Sequence, residues 1–399
     1  MPESTIDRSL KWYSTKEPLI VLLLSALAVV FFLAVAGLSR MFHAQQTATG
    51  DEFYKRGIAE LTAGDPNHAV RDFRTALLYS RDNFSYQLSL AQALVGQHLP
   101  DEAYTYLFNL WQREPENGTV NLELARIYAA RGKNSDALRF YHNAVYAIWG
   151  GAAEDQRRAV RLELIDFLLR SNSTAQAQAE LIALAANLPE NAPLLTRVGD
   201  LFVEAQDYEH AFEEYRQALR LDRHNAAAEA GAGRAAFELG RYPQAQRYLQ
   251  AAVSENSADG NSRSLLQTTD LVLEMDPFRR QISVSRRNQV VLQAFAAAGE
   301  RLKECGLKTT PAPAVIPTIR ASGPTTPAVA PAPPKNDLAA RWAAMKPQVT
   351  ARGLRHDPDL ADSAMDLVFS IEQQTSTACG APTGRDLALL LISRLREGN

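Results

Sequence analysis

The stretch "QDYEHAFEEYRQALRLDRHN" (206–225) carries the pattern from which the fold of this chain can be predicted. Tyr208, Ala211, Tyr215 and Ala218 are separated by three, four and three residues. This spacing places the four side chains on one stripe of an α-helix. A stripe of alternating small and large side chains suits close packing against another helix. The alanines admit the backbone of the neighbour, and the rings fill the space beside it.

The same pattern recurs along the chain. Its alanine is found at steps of 34, 34, 40, 34 and 34 residues, at Ala69, Ala103, Ala137, Ala177, Ala211 and Ala245. The position of Tyr215 is repeated as Phe73, Leu107, Tyr141, Leu181, Tyr215 and Leu249. The longer step falls around "WGGAAED" (149–155) and predicts a longer loop there. A fixed period of this length predicts stacked helical hairpins, because one hairpin cannot bury its apolar face alone.

A 34-residue period with these small and aromatic positions resembles the tetratricopeptide repeat (TPR), over about residues 50–257. The fourth unit departs from the family pattern, with Ile165 at the small position and Asn172 where a turn glycine is usual. The resemblance implies an all-α fold, a TPR α-solenoid of about six helical hairpins wound into a right-handed superhelix. Each hairpin is expected to turn at a short segment such as "AGD" (63–65).

One segment before the repeats is strongly apolar. Residues 19–38, "LIVLLLSALAVVFFLAVAGL", contain no charge, and as a helix they span roughly 30 Å, the thickness of a bilayer core. Arg8, Lys11 and Lys16 precede this segment, whereas only Arg40 follows it closely. The positive-inside bias therefore predicts a single-pass cell-membrane protein. Residues 1–18 would form a short cytoplasmic tail, and the bulk of the chain would be extracytoplasmic, in the periplasm of a bacterium.

Three other interpretations of the apolar segment stay open. A cleaved signal peptide is one, since "AVA" (34–36) suits a cleavage site, although the apolar run is longer than a signal core. A buried helix of a soluble protein is another, although such helices seldom lack a polar face. The third is an inverted topology, which would make the chain a cytoplasmic scaffold.

Beyond the repeats, the composition predicts three further segments. Residues 258–307 are predicted to form a capping helix and a second long helix. Residues 308–335 contain eight prolines among alanine, threonine and valine, which predicts a semi-stiff linker. Residues 336–399 are predicted to form a small helical C-terminal domain that resembles no family we recognise. Within it, Asp357 and Pro358 are typical of a helix start.

The two cysteines of the chain flank the proline-rich segment. Outside the cytoplasm, Cys305 and Cys379 can form a disulfide. In the chain-entropy description, closing a loop of that length stabilises the folded state by roughly 4 kcal/mol, less any strain. The alternative is a pair of buried free thiols, which are common in protein cores.

The sequence shows no chemical site. The chain of 399 residues has a formal net charge of −3 and no Lys/Arg-rich run, so no nucleic-acid partner is predicted. None of the seven histidines has metal-ligand spacing, and no catalytic or phosphate-binding motif is present. We therefore predict no cofactor, no metal site and no enzymatic activity. An enzyme or assembly factor of the cell envelope, with its activity in residues 336–399, stays as the alternative.

The resemblance also implies where a partner would bind. In TPR proteins the first helix of each hairpin lines a concave groove, and matching its contact positions assigns Tyr54, Ile58, Leu88, Gln92, Leu122, Arg126, Asp166, Asp200, Arg234 and Phe237. This set lacks the residues that clamp C-terminal carboxylates in the family. A largely apolar groove suits an amphipathic helix or an extended apolar peptide. The predicted function is a membrane-anchored scaffold for segments of envelope proteins, with a second copy or its own C-terminal region as alternative occupants.

Overall fold

The computed structural model describes residues 17–151, 153–306 and 337–397. Most of the predicted cytoplasmic tail and the whole predicted linker lie outside the described residues. The described ranges contain eighteen α-helices and one isolated β-bridge, with no β-strand, which confirms the all-α prediction. The chain divides into two units, Met1–Ser173 and Thr174–Asn399.

The described residues of the first unit form seven helices, each packed against the next. They are α1 (Glu17–Thr62), α2 (Pro66–Tyr79), α3 (Phe84–Gly96), α4 (Pro100–Arg113), α5 (Gly118–Ala130), α6 (Asn134–Val145) and α7 (Ala153–Arg170). Repeats one to three are the hairpins α1–α2, α3–α4 and α5–α6, and α7 is the first helix of the fourth repeat.

Helix α1 differs from the prediction, because the apolar segment and the first repeat helix are one continuous helix of 46 residues. The segment between them contains no proline. The hydroxyls of Thr47 and Thr49 donate to the carbonyls of His43 and Gln45, so these polar groups are satisfied within the helix. In the described part of the chain, this is the one helix long and apolar enough to cross a membrane.

The longer step of the repeat forms a folded loop. Trp149 donates through Nε1 to the carbonyl of Ala144 at 2.8 Å, and its ring lies over Gly118 at the start of α5. A β-carbon at Gly118 would lie 2.4 Å from that ring. Ile148 pairs with Asn117 in the isolated bridge. Ile148 and Trp149 thus fold back onto the third repeat.

The second unit holds eleven described helices. They are α8 (Thr174–Ala185), α9 (Ala192–Glu204), α10 (Tyr208–Leu221), α11 (Ala226–Glu238), α12 (Tyr242–Glu255), α13 (Gly260–Met275), α14 (Val284–Glu304), α15 (Leu338–Met345), α16 (Gly353–His356), α17 (Pro358–Cys379) and α18 (Gly384–Glu397). Repeats five and six are the hairpins α9–α10 and α11–α12. Asp357 caps α17, as its sequence predicts.

Repeat phase is visible in burial and in backbone conformation. All six pattern alanines have zero exposure, and the six side chains at the Tyr215 position are at most 2% exposed. Each hairpin turn contains one residue with a positive φ, at Gly64, His98, Gly132, Asn172, Gln206 and Gly240. These residues follow one another at the same steps as the alanines, so the predicted repeat register is confirmed.

The helices on both sides of the predicted linker share one hydrophobic core. Its buried members come from α12 to α18 and include Tyr242, Val272, Met275, Val291, Phe295, Leu302, Val368, Phe369 and Leu389. Trp342 stacks on Phe295 with ring centroids 5.4 Å apart and donates to the Phe295 carbonyl at 2.9 Å. Leu395 covers the turn at Gly240. Residues 337–397 therefore pack onto the end of the repeats, rather than around a core of their own.

The two cysteines meet at the edge of this core. Cys305 follows α14, and Cys379 ends α17. They are placed as a disulfide with Cα atoms 5.7 Å apart, within the range that this bond requires. The pair lies at the base of the segment that joins α14 to α15.

Candidate protein-binding groove

In four repeats, the first helix begins directly after an asparagine that caps it. The side chains of Asn83, Asn117, Asn191 and Asn225 each accept a hydrogen bond from the backbone N–H three residues later, at 2.9–3.2 Å. This bond satisfies one of the N–H groups that a helix leaves free at its N-terminus. Because each first helix begins at the same point of its repeat, the predicted groove positions come at matching turns of α3, α5, α9 and α11.

In the first unit, two predicted groove residues belong to a polar network. Arg126 on α5 donates to both carboxylate oxygens of Glu163 on α7, at 2.8 and 2.7 Å. It also donates to Glu123 at 3.2 Å, and Gln92 on α3 donates to the same carboxylate oxygen at 3.2 Å. The hydroxyl of Tyr141 donates to Glu163 at 3.0 Å. The network joins the first helices of repeats two, three and four.

The electrostatics of this network favour its charged form. The hydrogen bonds from Arg126 to Glu163 raise the pKa of the guanidinium despite its burial. Burial acts to raise the pKa of Glu163, but the Arg126 guanidinium outweighs this effect and the pKa is lowered. Burial and the neighbouring carboxylate raise the pKa of Tyr141. A bidentate Arg–carboxylate pair of this kind has a fixed geometry as well as a charge. It therefore presents a rigid polar edge.

A cavity of about 490 Å³ opens beside the network. It is lined by Arg126, Ala129, Ala130, Asn134, Tyr141, Glu163, Phe167, Arg170 and Ser171. The lining contains two positive charges, Arg126 and Arg170, and one negative charge, Glu163, so its formal charge is +1. The alanines of α5 supply an apolar floor.

The other predicted groove residues of the first unit lie outside this cavity. Tyr54 on α1 stacks on Tyr86 with ring centroids 4.9 Å apart, and Ile58, one turn later, is 37% exposed. Leu88, Leu122 and Asp166 are half-buried on α3, α5 and α7. The aromatic pair thus lies apart from the charged network of Arg126 and Glu163.

The second unit contains a larger cavity of about 790 Å³. It lies among the first helices α9 and α11 and the helix α13, and its lining consists of Asp200, Val203, Glu204, Tyr215, Ala227, Ala230, Gly231, Arg234, Glu238, Asp259, Asn261, Ser262, Ser264, Leu265 and Thr268. Two predicted groove residues, Asp200 and Arg234, are among them. No residue of the described range 337–397 belongs to this lining.

Tyr215 links the packing seam to this cavity. A β-carbon at Gly199 would lie 2.7 Å from its ring, and one at Gly231 would lie 2.3 Å from it. The ring therefore occupies space that only glycine leaves free on both neighbouring helices. Its hydroxyl reaches the cavity and donates to Asp200 at 2.6 Å. Burial, and then the hydrogen bond to Asp200, raise the pKa of Tyr215.

The lining of the second cavity is acidic. Asp200, Glu204, Glu238 and Asp259 contribute four negative charges against the single positive charge of Arg234. Asp259 also caps α13 by accepting from two backbone N–H groups. The formal charge of the lining is thus −3, opposite in sign to that of the first unit's cavity.

Phe237 lies elsewhere. It packs edge-on against Tyr242 with ring centroids 5.4 Å apart and touches the core formed with the C-terminal helices. In a central repeat this position would line the groove. Phe237 belongs to the last repeat, where the core formed with the C-terminal helices covers it. Sequence reasoning instead missed Glu163, Arg170 and Glu204. The signal available for Glu163 was the hydroxyl of Tyr141, since a tyrosine at a buried seam position needs a polar partner.

The C-terminal helices contain a buried acid. Glu372 on α17 has zero exposure, and neither carboxylate oxygen has a hydrogen-bond partner. Burial, and to a lesser extent the nearby Asp386, raise the pKa of Glu372 to about 8, while Arg301 opposes them. The two cavities described above do not reach it. Among the described residues no group of His, Cys, Asp or Glu is arranged to hold a metal ion.

Helical hairpins stacked in a fixed register define a repeat solenoid. Sequence models of the tetratricopeptide repeat family match residues 54–117 and 202–267. Residues 54–117 and 202–267 are therefore tetratricopeptide repeats.

Three proteins that resemble the chain do so at low sequence identity. Human tetratricopeptide repeat protein 13 is 25% identical over 181 residues, which are 44% of this chain and 20% of the human protein. The chain thus spans about a fifth of the length of that relative. A TPR repeat-containing protein of Cytophaga hutchinsonii is 10% identical, with a TM-score of 0.44, over 60% of this chain and 92% of the other. PilF of Pseudomonas aeruginosa is 16% identical, with a TM-score of 0.40, over 55% and 97%.

Proposed function

We propose that this protein is a membrane-anchored scaffold that binds a peptide or helix segment of another envelope protein along its first-helix face. The observation that carries the proposal is the pair of cavities of about 490 and 790 Å³. Each lies where the predicted groove residues Arg126, Asp200 and Arg234 are found. The small side chains on their floors leave space for a ligand backbone, and the charged rims supply orientation.

The partner is a different protein rather than the chain's own C-terminal region. Residues 337–397 share a core with α12, α13 and α14, so their apolar faces are already covered. The acidic lining of the larger cavity favours a ligand segment that carries lysine or arginine there, because the opposite charge steers association and fixes register. The cavity of the first unit favours an acidic group.

Membrane anchorage and an extracytoplasmic location are part of the proposal. They are supported by the apolar, exposed first part of the helix Ile20–Thr62 and by the charge bias around residues 19–38. The pairing of Cys305 and Cys379 fits the same location, since disulfides persist outside the cytoplasm. A phosphatase fused after Asn399 is expected to be active only if that end of the chain is extracytoplasmic. An inactive fusion, with a cytoplasmic reporter active at the same site, would reverse the topology.

The binding proposal is tested by photocrosslinking in cells. A photoreactive residue is placed at Ala129 in the first cavity and at Ala230 in the second. The control is Leu78, which is 83% exposed on a second helix and lines neither cavity. We expect discrete protein adducts from the two cavity positions and none from Leu78. Similar adducts from all three positions, or none from either cavity, would rule out the first-helix face as the binding surface.

A further inference from the structure

Three charged side chains meet where α14, α17 and α18 come together. Glu372 on α17 has zero exposure, and its two carboxylate oxygens have no hydrogen-bond partner among the described residues. Arg301 on α14 has a buried Nε atom that is unpartnered in the same part of the chain. This atom lies 3.9 Å from the carboxylate of Asp386 on α18, which is too far for a hydrogen bond. The cluster therefore holds three buried polar atoms that the docked helices do not satisfy.

The charges of this cluster do not balance when both carboxyl groups are ionised. Among the described residues of the helices packed against α17, the charged groups that act on Glu372 are Arg301 of α14 and Asp386 of α18, and α15 and α16 contribute none. Burial raises the pKa of Asp386, while Arg301 lowers it. Two further acids of α14, Glu304 and Glu300, act in the same direction as burial. Ionised Glu372 would be a second buried carboxylate beside one guanidinium, and burial of an unpaired charge is costly.

Of the three helices at the cluster, α18 is the one that no cross-link holds in place. Cys305 follows α14 and Cys379 ends α17, and the disulfide between them keeps the ends of these two helices together. Arg301 adds a hydrogen bond across the same ends, from its Nη2 atom to the carbonyl of Gly380 at 3.1 Å. Helix α18 follows through the short loop 380–383 and contains no cysteine. A force that separates the three helices therefore moves α18, while α14 and α17 stay linked.

Helix α18 covers the end of the repeats. It contributes three buried residues to the core shared with α12, namely Ala388, Leu389 and Ile392. Leu395 lies against the turn at Gly240 in the sixth repeat. Departure of α18 would therefore uncover the apolar end of the solenoid without breaking any hairpin of the repeats.

We propose that the proton on Glu372 holds α18 on the end of the repeats, and that ionisation of this carboxyl group releases the helix. In the docked state burial and Asp386 raise the pKa of Glu372 to about 8, whereas a solvated glutamate has the ordinary value of 4.5. Between these two values the docked state binds a proton that the released state has lost. The population of the released state should therefore increase as pH rises from about 4.5 to 8, by up to about tenfold per pH unit. This release is independent of ligand binding in the two cavities.

Hydrogen exchange of the full chain in detergent micelles, measured between pH 5 and pH 8, tests the release. Protection factors remove the pH dependence of intrinsic exchange. We expect the protection of the α18 amides 388–394 to fall by up to about tenfold per pH unit. At pH 8 it should be at least about tenfold below that of the α14 amides 290–298, because α18 leaves while the remaining core stays folded.

Two results of this measurement would overturn the proposal. Equal protection of α18 and α14 at every pH would mean that Glu372 is exposed only when the whole core unfolds. Protection of α18 that does not change with pH would mean that the proton on Glu372 does not hold the helix.

Replacement of Glu372 by glutamine keeps the shape of the side chain and removes its charge. In Glu372→Gln the protection of α18 should stay within about twofold between pH 5 and pH 8. Asp366→Asn is the matched control, because Asp366 is an exposed acid of α17 that pairs with Arg396 of α18 at 3.1 Å. This variant should keep the pH dependence of the parent protein. A slope retained in Glu372→Gln, or lost in Asp366→Asn, would assign the pH dependence to other groups and overturn the proposal.

Discussion

The repeat is most directly visible in the backbone conformation of single residues in the hairpin turns. All six turns need one residue with a left-handed backbone, which costs a residue with a β-carbon roughly 1–2 kcal/mol. Glycine supplies it in three turns, and His98, Asn172 and Gln206 supply it in the others. The departure of Asn172 from the family pattern is thus conservative, because asparagine tolerates this conformation better than most residues.

The turns allow a prediction with an internal control. Gln206→Gly should raise the free energy of unfolding by about 0.5–1 kcal/mol, because relief of the left-handed strain exceeds the added backbone entropy of glycine. Asn172→Gly should have a smaller effect. Thermal unfolding of the two variants beside the parent protein measures the difference. A loss of stability in Gln206→Gly would mean that its turn is not strained.

At the same scale, Glu372 should make stability depend on pH. Its pKa of about 8 in the folded protein lies above the ordinary value of 4.5 expected after unfolding. Between these values the folded state holds a proton that the unfolded state has released. Stability should therefore fall as pH rises from about 4.5 to 8, by at most about 1.4 kcal/mol per pH unit.

Replacement of Glu372 by glutamine should remove this part of the slope. We expect Glu372→Gln to be more stable than the parent protein at pH 8 and to approach it near pH 5. Denaturant unfolding at several pH values measures the effect, and Glu190→Gln, at an exposed loop position, is the control. Parallel pH profiles for the parent protein and Glu372→Gln would contradict the buried, protonated carboxyl.

At the scale of helices, the distance between two packed helices decides which side chains fit between them. The ring of Tyr215 fits only because α9 and α11 each place a glycine against it. A larger side chain at either position would push the helices apart and move the hydroxyl away from Asp200. The packing seam and the acidic cavity are thus built by the same side chain.

Gly231→Ala tests this arrangement. In a helix interior, alanine is more favourable than glycine by about 1 kcal/mol. At position 231, however, its β-carbon would lie 2.3 Å from the Tyr215 ring. We expect a net loss of about 1–3 kcal/mol from overpacking, measured by thermal unfolding. Gly260→Ala is the matched control, since its β-carbon would meet nothing within 4 Å. Equal effects of the two substitutions would show that the ring moves freely.

At the scale of the whole molecule, the C-terminal helices close the last repeat. Terminal repeats need a cap, because their outer face would otherwise be apolar and exposed. Here α13 to α18 supply it, with Tyr242 on the repeat side and Leu389 on the C-terminal side. The segment between α14 and α15 therefore joins two parts of one core.

This arrangement predicts that the chain tolerates division at the proline-rich segment. Residues 1–306, and residues 337–399 with an added export signal, produced as separate chains in the same cell, should co-purify and migrate together on a non-reducing gel through Cys305 and Cys379. They should stay associated after reduction, because the core itself remains. Cys305→Ser should abolish only the covalent link. Separation of the fragments on reduction would mean that the disulfide, rather than the core, holds them together.

The features that could be predicted from the sequence are those set by side-chain spacing within one or two helices. The period, the buried alanines and the turn positions depend on residues within one or two helices, and these predictions are confirmed. The partners of Arg126 and Asp200 could not be predicted, because Glu163 and Tyr215 reach them from other helices. Phe237 shows the same limit, since its repeat position predicts a groove, whereas its neighbours in space place it against the core of the C-terminal helices.

The sequence by itself determined the helical repeat, its register and the apolar segment, because each depends on side-chain spacing along a single helix. The tertiary structure alone decided which charges line each cavity and that the C-terminal helices cap the repeats. It also decided that the apolar segment and the first groove helix form one rod. These features depend on which helices meet and at what distance, and that is set by packing among residues far apart in the chain.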